Sequence, residues 1–384
     1  MDLDALRGNL AVIRLLAGSR VPVHPVVKAD AYGHGAVAVA RALVDAGADG
    51  LCVAAWDEAV QLRLAGIRGP LLVLYPVPPG LGPEAARRRI AITAGERGLL
   101  DAVASSVADR PGPRLAVHLE VETGLGRGGF IGASLAAAAR LVEGHPGLRL
   151  AGLWTHLQAA EDAALTERQV ERFEAAAGEL SAAGIRLPAR HAAASGGLLL
   201  GSVASHEAVR PGLSIYGLIP DELLGTPLRG PAAGLRPAMA LVARPVRVAD
   251  LPAGWGVSYG PTWTTARPSR IATLPFGYGD GWSRALSNRA WALVRGVRAP
   301  VVGNVAMDAV MVDVTDVPGE PVSTVDEFVL IGEQGGARIT APEIAAARGT
   351  NSWEVVTSMA RRLPRVYHAA AGPEGLRTLV TAVP

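Results

Sequence analysis

Cysteine is almost absent from this sequence, and long apolar runs are absent altogether. Cys52 is the only cysteine, so no intrachain disulfide can form, which fits a reducing compartment. No apolar run approaches the roughly 18 residues of a membrane-spanning helix. The first 16 residues have apolar side chains at helical spacing and two early aspartates, which predicts a helix and not a signal peptide. We therefore expect a cytoplasmic protein with no membrane partner.

An excess of one charge and a large share of aromatic side chains are also missing. The 37 basic residues nearly balance the 35 acidic residues, the formal net charge is +2, and aromatic residues make up 4% of the chain. Because no basic tract interleaved with aromatic residues occurs, a nucleic-acid partner is not expected. Hydrophobic residues make up 49% of the 384 residues. That content is enough for large cores, and the length favours two domains.

The first part of the chain alternates short apolar runs with stretches of helical period. Such alternation predicts a parallel sheet with crossover helices. Eight runs favour a closed (β/α)8 barrel of the TIM type over the rival interpretation, an open doubly wound sheet. The runs are residues 21–30, 50–56, 70–77, 90–95, 114–122, 150–157, 189–195 and 208–217.

Near residue 225 the pattern changes to short strand candidates with turn signals and few helices between them. A last helical stretch, residues 341–363, is predicted to close this region. The predicted organisation is therefore an α/β barrel domain over residues 1–224 and a mostly-β domain over residues 225–384.

A glycine motif follows one predicted strand. Gly124, Gly126 and Gly129 match G-x-G-x-x-G, the spacing of a dinucleotide-binding turn. Such a site also needs an acidic residue at the end of a second strand, to bind the ribose. The next candidate, Glu143, precedes a turn instead. We therefore do not expect a dinucleotide site, and no metal site is predicted either.

Lys28 lies at the end of the first apolar run, where a barrel strand would present it to the active site. An ordinary lysine packs its stem and extends its amine into solvent. However, residues 28–35, K-A-D-A-Y-G-H-G, resemble the signature of the alanine racemases, barrel enzymes that use pyridoxal 5′-phosphate (PLP). The resemblance implies that Lys28 holds PLP as an imine and later acts as a base. Both roles need a primary amine whose pKa is lowered by partial desolvation.

The family needs a second acid/base group on the opposite face of the substrate. The motif V-S-Y-G in residues 257–260 is similar to the family's motif for this group and implies that Tyr259 supplies it. By the same resemblance, His156 and Arg210 are its helpers, and Arg210 faces the pyridine nitrogen of PLP. A guanidinium only donates hydrogen bonds, so that nitrogen would remain unprotonated.

The resemblance also implies how the phosphate of PLP is held. Tyr32, Ser195 and backbone amides near Gly212 and Leu213 match the family's phosphate site, and hydroxyl and N–H groups suit a dianion. Trp353 replaces a tyrosine of that site. Indole donates from its N–H but cannot accept, so its contact with the phosphate is an open question.

The substrate carboxylate is expected to contact Arg127 on one side and the segment of Met307 and Asp308 on the other. In the family, the histidine-containing strand before this arginine carries a lysine that is often carbamylated. Here Glu120 stands at that position. We hypothesise that Glu120 pairs with Arg127 and supplies the negative charge directly, without carbon dioxide.

The resemblance extends from about residue 2 to about residue 370 and includes four departures. Besides Glu120 and Trp353, Ala194 replaces an asparagine and Asn304 replaces an arginine of the entrance. All four positions lie near the implied substrate path, whereas Lys28, Tyr259, His156 and Arg210 match the family, so the departures bear on the substrate and not on the two-base chemistry. Alanine is the first choice, and serine or another small amino acid is the alternative. The pathway, cell-wall precursor supply or specialised metabolism, stays open.

Other classes of protein share parts of this pattern. A barrel PLP decarboxylase would present an acidic residue to the ring nitrogen and a cysteine from its second domain, and Arg210 and the early Cys52 disfavour it. A PLP-binding barrel protein without racemase activity would lack the β domain that carries Tyr259. The resemblance also implies a head-to-tail homodimer, in which Tyr259 and Met307 face the barrel of the other subunit.

Overall fold

The computed structural model describes residues 1–108 and 112–380 and divides into two compact units. The first, the barrel unit, comprises Asp4–Ala31 and Gly35–Arg236. The second, the β unit, comprises Met1–Leu3, Tyr32–His34 and the described chain from Pro237 onward.

A six-stranded parallel sheet forms most of the barrel unit. Each strand pairs with the next one along the chain, as expected when a helix connects consecutive parallel strands. Their side chains are mostly buried valine, leucine, isoleucine and alanine, as is usual where both faces of a sheet are covered. The strands are Leu51–Val53, Leu71–Val73, Ala91–Ala94, Leu115–Glu120, Leu148–Trp154 and Ala189–His191.

Residues 22–27 and 207–211 close this sheet into a ring. Parallel bridges join Val23 to Val209 and Val26 to Cys52, and the Arg210 amide donates to the Ala193 carbonyl at 2.9 Å. Proline has no N–H, which explains why these two proline-containing segments form single bridges instead of full ladders. The prediction of an eight-membered barrel is confirmed, with its first and eighth members reduced to bridges.

The helices of the barrel unit bury alanine-rich faces, as in Ala36–Asp45, where Val39, Ala40 and Leu43 are buried. Small side chains allow helix and sheet to approach closely, which accounts for the high alanine content. The right-handed helices are Leu3–Ala17, Ala36–Asp45, Trp56–Leu64, Gly82–Arg88, Arg97–Val107, Ala133–Gly144, Ala163–Ala182 and Ser195–Leu200. Short 3-10 helices are Pro79–Leu81, Leu213–Tyr216, Asp221–Leu223 and Gly230–Gly234.

The β unit contains antiparallel sheets, as its turn-rich sequence predicts. One sheet contains Leu241–Ala243, Trp291–Val294, Val297–Pro300, Phe328–Gln334 and Ala337–Ile339. A second contains Arg247–Leu251, Ser269–Leu274 and Val310–Asp313, and a hairpin pairs Arg365–Ala369 with Gly372–Arg377. Short 3-10 helices are Tyr278–Asp280 and Arg284–Leu286.

The predicted final helical stretch differs from the structure in two respects. It is divided into Ala341–Arg348 and Ser352–Thr357, because Gly349 adopts φ +76° and ends the first helix in a left-handed conformation. The hairpin described above then follows it, so the helical stretch does not end the domain. Among the described residues, no helix is both long enough and apolar enough to cross a membrane.

Candidate active site

Lys28 begins a left-handed turn at the end of the first barrel member. Ala29, Asp30, Ala31 and Tyr32 have φ between +51° and +55°. This conformation costs an L-residue about 1–2 kcal/mol, so four such residues in succession need external support.

Two carboxylates fix the turn. Glu58 accepts hydrogen bonds from the backbone amide of Ala29 at 2.6 Å and from those of Ala54 and Ala55 at 2.8 and 3.0 Å. Asp30 accepts from the amide of Ala36 at 2.9 Å. These bonds tie the residue after Lys28 to the end of the neighbouring strand and to the following helix.

The amine of Lys28 lies in a partly buried, cationic environment. Burial lowers its pKa below the usual value, and the positive charge of Arg127 lowers it further, while Glu58 opposes the shift. The lowered pKa increases the fraction of neutral amine, which is the nucleophilic and basic form.

Arg210 is buried and makes charge-assisted hydrogen bonds to its neighbours. Its Nη1 donates to Nδ1 of His191 at 2.5 Å and to the His191 carbonyl at 2.6 Å, and its Nη2 donates to the Thr155 carbonyl at 2.8 Å. The guanidinium lies over the Trp154 ring, 4.8 Å from its centroid, and that ring stacks on His191 with an interplanar angle of 5°. Three of its five N–H groups are therefore bonded within the described structure, and two remain for a ligand.

These bonds determine the tautomers of two histidines. Because Arg210 can only donate, His191 must accept at Nδ1 and carry its proton on Nε2. That proton is donated to Nδ1 of His118, 2.9 Å away. Burial and the charge of Arg210 keep the pKa of His191 well below its usual value, so the chain Arg210–His191–His118 contains a single positive charge at neutral pH.

His156 lies beside the same cluster. Burial lowers its pKa to about 3, and the positive charges of Arg210, Arg127 and Lys28 contribute to the shift. Its carbonyl accepts a 3.4 Å hydrogen bond from the buried amide of Gln169. The imidazole is therefore neutral at physiological pH and can exchange a hydrogen bond without carrying charge.

Ser195 follows the seventh barrel member, and three hydrogen-bond donors converge on its hydroxyl oxygen. Its Oγ accepts from the backbone amides of Gly212 at 3.0 Å and Ser214 at 3.2 Å, and from the Ser214 hydroxyl at 2.9 Å. Leu213 begins the 3-10 helix that orients these amides. Three donors converging on one oxygen form a suitable cradle for an anion.

Arg127 and Glu120 form an ion pair, with Nη2 of Arg127 3.3 Å from Oε1 of Glu120. The hypothesis that Glu120 pairs with Arg127 is confirmed. Arg127 also stacks on Tyr75, 5.4 Å from the ring centroid. Glu120 is only 8% exposed, and burial raises its pKa while Arg127 opposes the shift.

The glycines near Glu120 leave room for its carboxylate. A Cβ atom at Gly95 would lie 3.3 Å from Oε2 of Glu120. Gly124, Gly126 and Gly129 all have positive φ, and a Cβ atom at Gly129 would lie 2.5 Å from the Glu122 amide. The glycine motif therefore shapes the turn that carries Arg127.

The remaining predicted site residues belong to the β unit. Tyr259 is 77% exposed at the tip of a loop, and Met307 is 53% exposed. Asp308 forms an ion pair with Arg362 at 2.5 Å, and Arg362 also binds Asp280 at 2.5 Å. Tyr32, the last residue of the left-handed turn, groups with this unit, as does Trp353 in the helix Ser352–Thr357.

The predicted site residues therefore fall into two sets. The barrel unit brings together Lys28, Arg127, His156 and Arg210 as electrostatic neighbours. It also brings Ser195 within hydrogen-bond distance of the Gly212 amide, and Leu213 follows at the start of the 3-10 helix. The β unit holds Tyr32, Tyr259, Met307, Asp308 and Trp353.

Sequence reasoning missed His118, His191, Glu58 and Ser214. A signal existed for the histidines, because strand ends carry the active site of a barrel and His118 and His191 lie near the ends of two predicted strands. No local signal identifies Glu58, since its partners are backbone amides.

Two family models match the chain. The one described as "Alanine racemase, N-terminal domain" matches residues 1–220, and the one described as "Alanine racemase, C-terminal domain" matches residues 238–367.

Individual relatives match over nearly the full length. The alanine racemase of Symbiobacterium thermophilum is 44% identical over 375 residues, covering 96% of both chains. That of Sorangium cellulosum is 42% identical, covering 96% of this chain and 97% of the relative. The crystal structure of alanine racemase from Bacillus anthracis with bound L-Ala-P is 33% identical with a TM-score of 0.91, covering 98% of this chain and 96% of that one.

Proposed function

The chain belongs to the alanine racemase family, and from this premise we propose that it interconverts L- and D-alanine, with Lys28 and Tyr259 as its two acid/base groups. The observation that carries the proposal is the environment of Lys28. Its amine, with a lowered pKa, ends the first barrel member beside Arg127. An amine with a lowered pKa, next to a guanidinium that can bind a carboxylate, suits proton abstraction from an amino acid.

We propose PLP as the cofactor, because the barrel unit contains a suitable donor for each of its polar groups. Lys28 offers the amine, Ser195 with the amides of Gly212 and Leu213 offers donors for the phosphate, and Arg210 offers one of its remaining N–H groups for the ring nitrogen. Tyr32 and Trp353 complete the proposed set. When bound, PLP withdraws electrons from the α-carbon and makes its proton acidic.

The proton transfers are then assigned to the chain's own residues. Lys28, as a neutral amine, takes the α-proton of one enantiomer and becomes an ammonium. Tyr259 donates its phenolic proton to the opposite face and becomes a phenolate. The reverse reaction exchanges the two roles, so one proton is taken and one is returned in each direction.

Arg210 and its histidines limit the chemistry to racemisation. His191 and His118 hold Arg210 in one orientation, with both imidazoles neutral. Because Arg210 only donates, it would offer the ring nitrogen no hydrogen-bond acceptor, which would disfavour protonation of that nitrogen. This arrangement moderates the electron withdrawal and favours return of the proton to the α-carbon.

Arg127 is proposed to bind the substrate carboxylate, with Met307 and Asp308 at its other edge. The charge of Glu120 neutralises Arg127 in part and holds its orientation. Because Glu120 is itself a carboxylate, this orientation requires no carbamylation.

The test uses PLP-loaded protein in heavy water with each alanine enantiomer, reading α-deuterium uptake and chirality together. Wild type should show both exchange and inversion. Lys28→Ala should lose PLP attachment and activity. Tyr259→Phe should retain PLP and lose inversion. Full inversion by Tyr259→Phe would refute the two-base assignment.

Serine is the second candidate substrate, since Glu120, Asn304 and Trp353 depart from the family pattern near the implied substrate path. Including serine in the same experiment distinguishes the two, because inversion of serine but not alanine would identify the altered positions as determinants of specificity.

We also propose that a cytoplasmic head-to-tail homodimer is the working form. Tyr259 and Met307 are large side chains that stand exposed on the single chain, and a second copy would cover them. Light scattering after size-exclusion chromatography would give twice the chain mass if this is correct.

A further inference from the structure

Tyr259 lies at the tip of a loop whose base is firmly anchored. Antiparallel bridging joins Gly256 to Thr264, and the Val257 amide donates to the Trp263 carbonyl at 3.0 Å. Val257 is buried with Ile271 and Val302. The base of the loop is therefore part of the core, whereas the tip, residues 258–262, extends beyond it.

The part of the tip around Tyr259 is held by one side chain from a distant segment. Nδ2 of Asn304 donates to the Tyr259 carbonyl at 2.8 Å and to the Gly260 carbonyl at 3.1 Å. In return, Oγ of Ser258 donates to the Asn304 carbonyl at 2.5 Å. Three consecutive residues centred on Tyr259 are thus bonded to a single residue 45 positions away.

The backbone at the tip needs this support. Ser258 has φ +70° and Gly260 has φ +50°, so a non-glycine residue directly before Tyr259 adopts a left-handed conformation that is unfavourable in isolation. The carboxamide of Asn304 has two N–H groups on one nitrogen, which matches two neighbouring carbonyl acceptors. An aspartate of the same size has no N–H to donate.

Asn304 also lies on the segment proposed to bind substrate. Met307 and Asp308 follow it, and the Ala306 amide donates to the Ala309 carbonyl at 2.9 Å, closing that segment into a turn. One side chain therefore connects the loop of the proposed acid/base group to the proposed carboxylate-binding edge.

We propose that Asn304 is a positioning residue for Tyr259, setting the place from which the phenol exchanges a proton with the substrate. This inference rests on the proposed role of Tyr259 as an acid/base group. Displacement of a reacting group by about 1 Å can cost about 100-fold in rate, so loss of the two hydrogen bonds should slow the Tyr259 step by about 10- to 100-fold.

The decisive variant is Asn304→Asp, which preserves size and removes the donors. It should lower kcat more than it changes KM. Asn304→Ala, which leaves no carboxylate facing the two carbonyls, is a second variant that should show the same direction. Folding is checked by the thermal midpoint and by PLP absorbance, both of which should stay near wild type.

The readout that separates positioning from general damage is asymmetric isotope exchange. Each alanine enantiomer is incubated alone in heavy water. For the enantiomer deprotonated by Lys28, α-deuterium exchange should continue while inversion falls. For the enantiomer deprotonated by Tyr259, exchange and inversion should fall together. A purely structural defect would lower all four rates in proportion and would overturn the proposal.

Asn288 provides a matched control, because it bonds the same tip at Thr262 from another segment. Its Oδ1 accepts from the Gly303 amide at 2.7 Å and its Nδ2 donates to Thr262 Oγ1 at 3.0 Å, without contacting the carbonyls of Tyr259 or Gly260. Asn288→Asp keeps the Oδ1 acceptor for the Gly303 amide and a residue type that tolerates φ +57°, so it should keep the wild-type ratio of exchange to inversion.

Tyr259→Phe distinguishes failure of this inference from failure of the proposed function. If Tyr259→Phe loses inversion while Asn304→Asp keeps the wild-type ratio, Asn304 has no positioning role. If Tyr259→Phe inverts alanine normally, the acid/base assignment itself is wrong, and the inference about Asn304 is wrong with it.

Discussion

Single residues in the barrel unit show how buried polar groups satisfy one another. Arg210 is buried, and its hydrogen bonds to the neutral His191 and to the Thr155 carbonyl provide acceptors without placing a second charge beside it. A buried arginine is usually paired with a carboxylate. Among the described residues, the carboxylate that acts on Arg210 is that of Glu120, and it is bonded to Arg127. The free charge of Arg210 is consistent with a site completed by a ligand.

The buried histidines predict how stability depends on pH. The pKa of His118 and that of His156 are lowered to about 3, and that of His191 is also lowered. Unfolded histidine binds a proton near pH 6.5, so the unfolded state holds more protons below that pH. Stability should be complete above pH 6.5 and fall as pH decreases toward 3, by up to about 1.4 kcal/mol per pH unit for each histidine.

Urea unfolding at pH 7, 6 and 5 measures this slope. His118→Asn should lower the slope of unfolding free energy against pH by the contribution of one histidine. His368→Asn, at an exposed position of the β unit, should leave that slope unchanged. A slope that is the same in His118→Asn as in wild type would contradict the assignment.

Glu120 gives a second prediction at this scale. Glu120→Gln keeps the shape of the side chain and removes its charge, which frees Arg127 to reorient. For a partly exposed pair the loss is about 1 kcal/mol, so KM for alanine should rise about five-fold with a smaller change in kcat.

Steady-state kinetics in carbon-dioxide-free and bicarbonate-supplemented buffers complete this test. Wild-type activity should be equal in both, since Glu120 carries its own charge. Stimulation by bicarbonate would show that another group supplies the anion.

At the scale of elements, the sequence predicts regular structure well and irregular structure poorly. Apolar periodicity predicted the six strands and the helices that follow them. The first and eighth members were predicted as strands, but their prolines reduce them to bridges.

Long-range contacts explain what local patterns could not predict. The left-handed turn after Lys28 has no local signature, because Ala29 and Ala31 do not favour positive φ. It forms because Glu58 accepts a hydrogen bond from the Ala29 amide and Asp30 accepts one from the Ala36 amide. Likewise, no local pattern connects Asn304 to Tyr259, since the two lie 45 residues apart.

The turn predicts a specific effect of Glu58. Glu58→Gln replaces one of two acceptor oxygens by a donor that faces backbone N–H groups, which should destabilise the barrel unit by about 1–3 kcal/mol. Because the turn places Lys28, PLP should also be lost faster on dialysis. Asp57→Asn, the exposed neighbour on the same helix, is the matched control. PLP retention by Glu58→Gln equal to that of the control would contradict this prediction.

At the scale of the whole molecule, Cys52 is a reporter of barrel opening. It is fully buried next to the closing bridge at Val26, and burial raises its pKa to about 12. A thiol reagent should therefore not label the folded protein at neutral pH, and the labelling rate in mild urea should measure how often the ring opens. Rapid labelling of the native protein, followed by mass spectrometry, would show that the ring opens without global unfolding.

The prolines that interrupt the first and eighth barrel members shorten the backbone ladder at their junction. Lys28 follows the first member and Gly212 follows the eighth, and the Val26 amide bonds the Pro211 carbonyl across this junction. A ligand that contacts both sides would hold the junction closed, because the ring could open only after the ligand is released. By thermodynamic linkage, cofactor concentration should then set the lifetime of the closed ring, so that Cys52 is protected longer with PLP than without it.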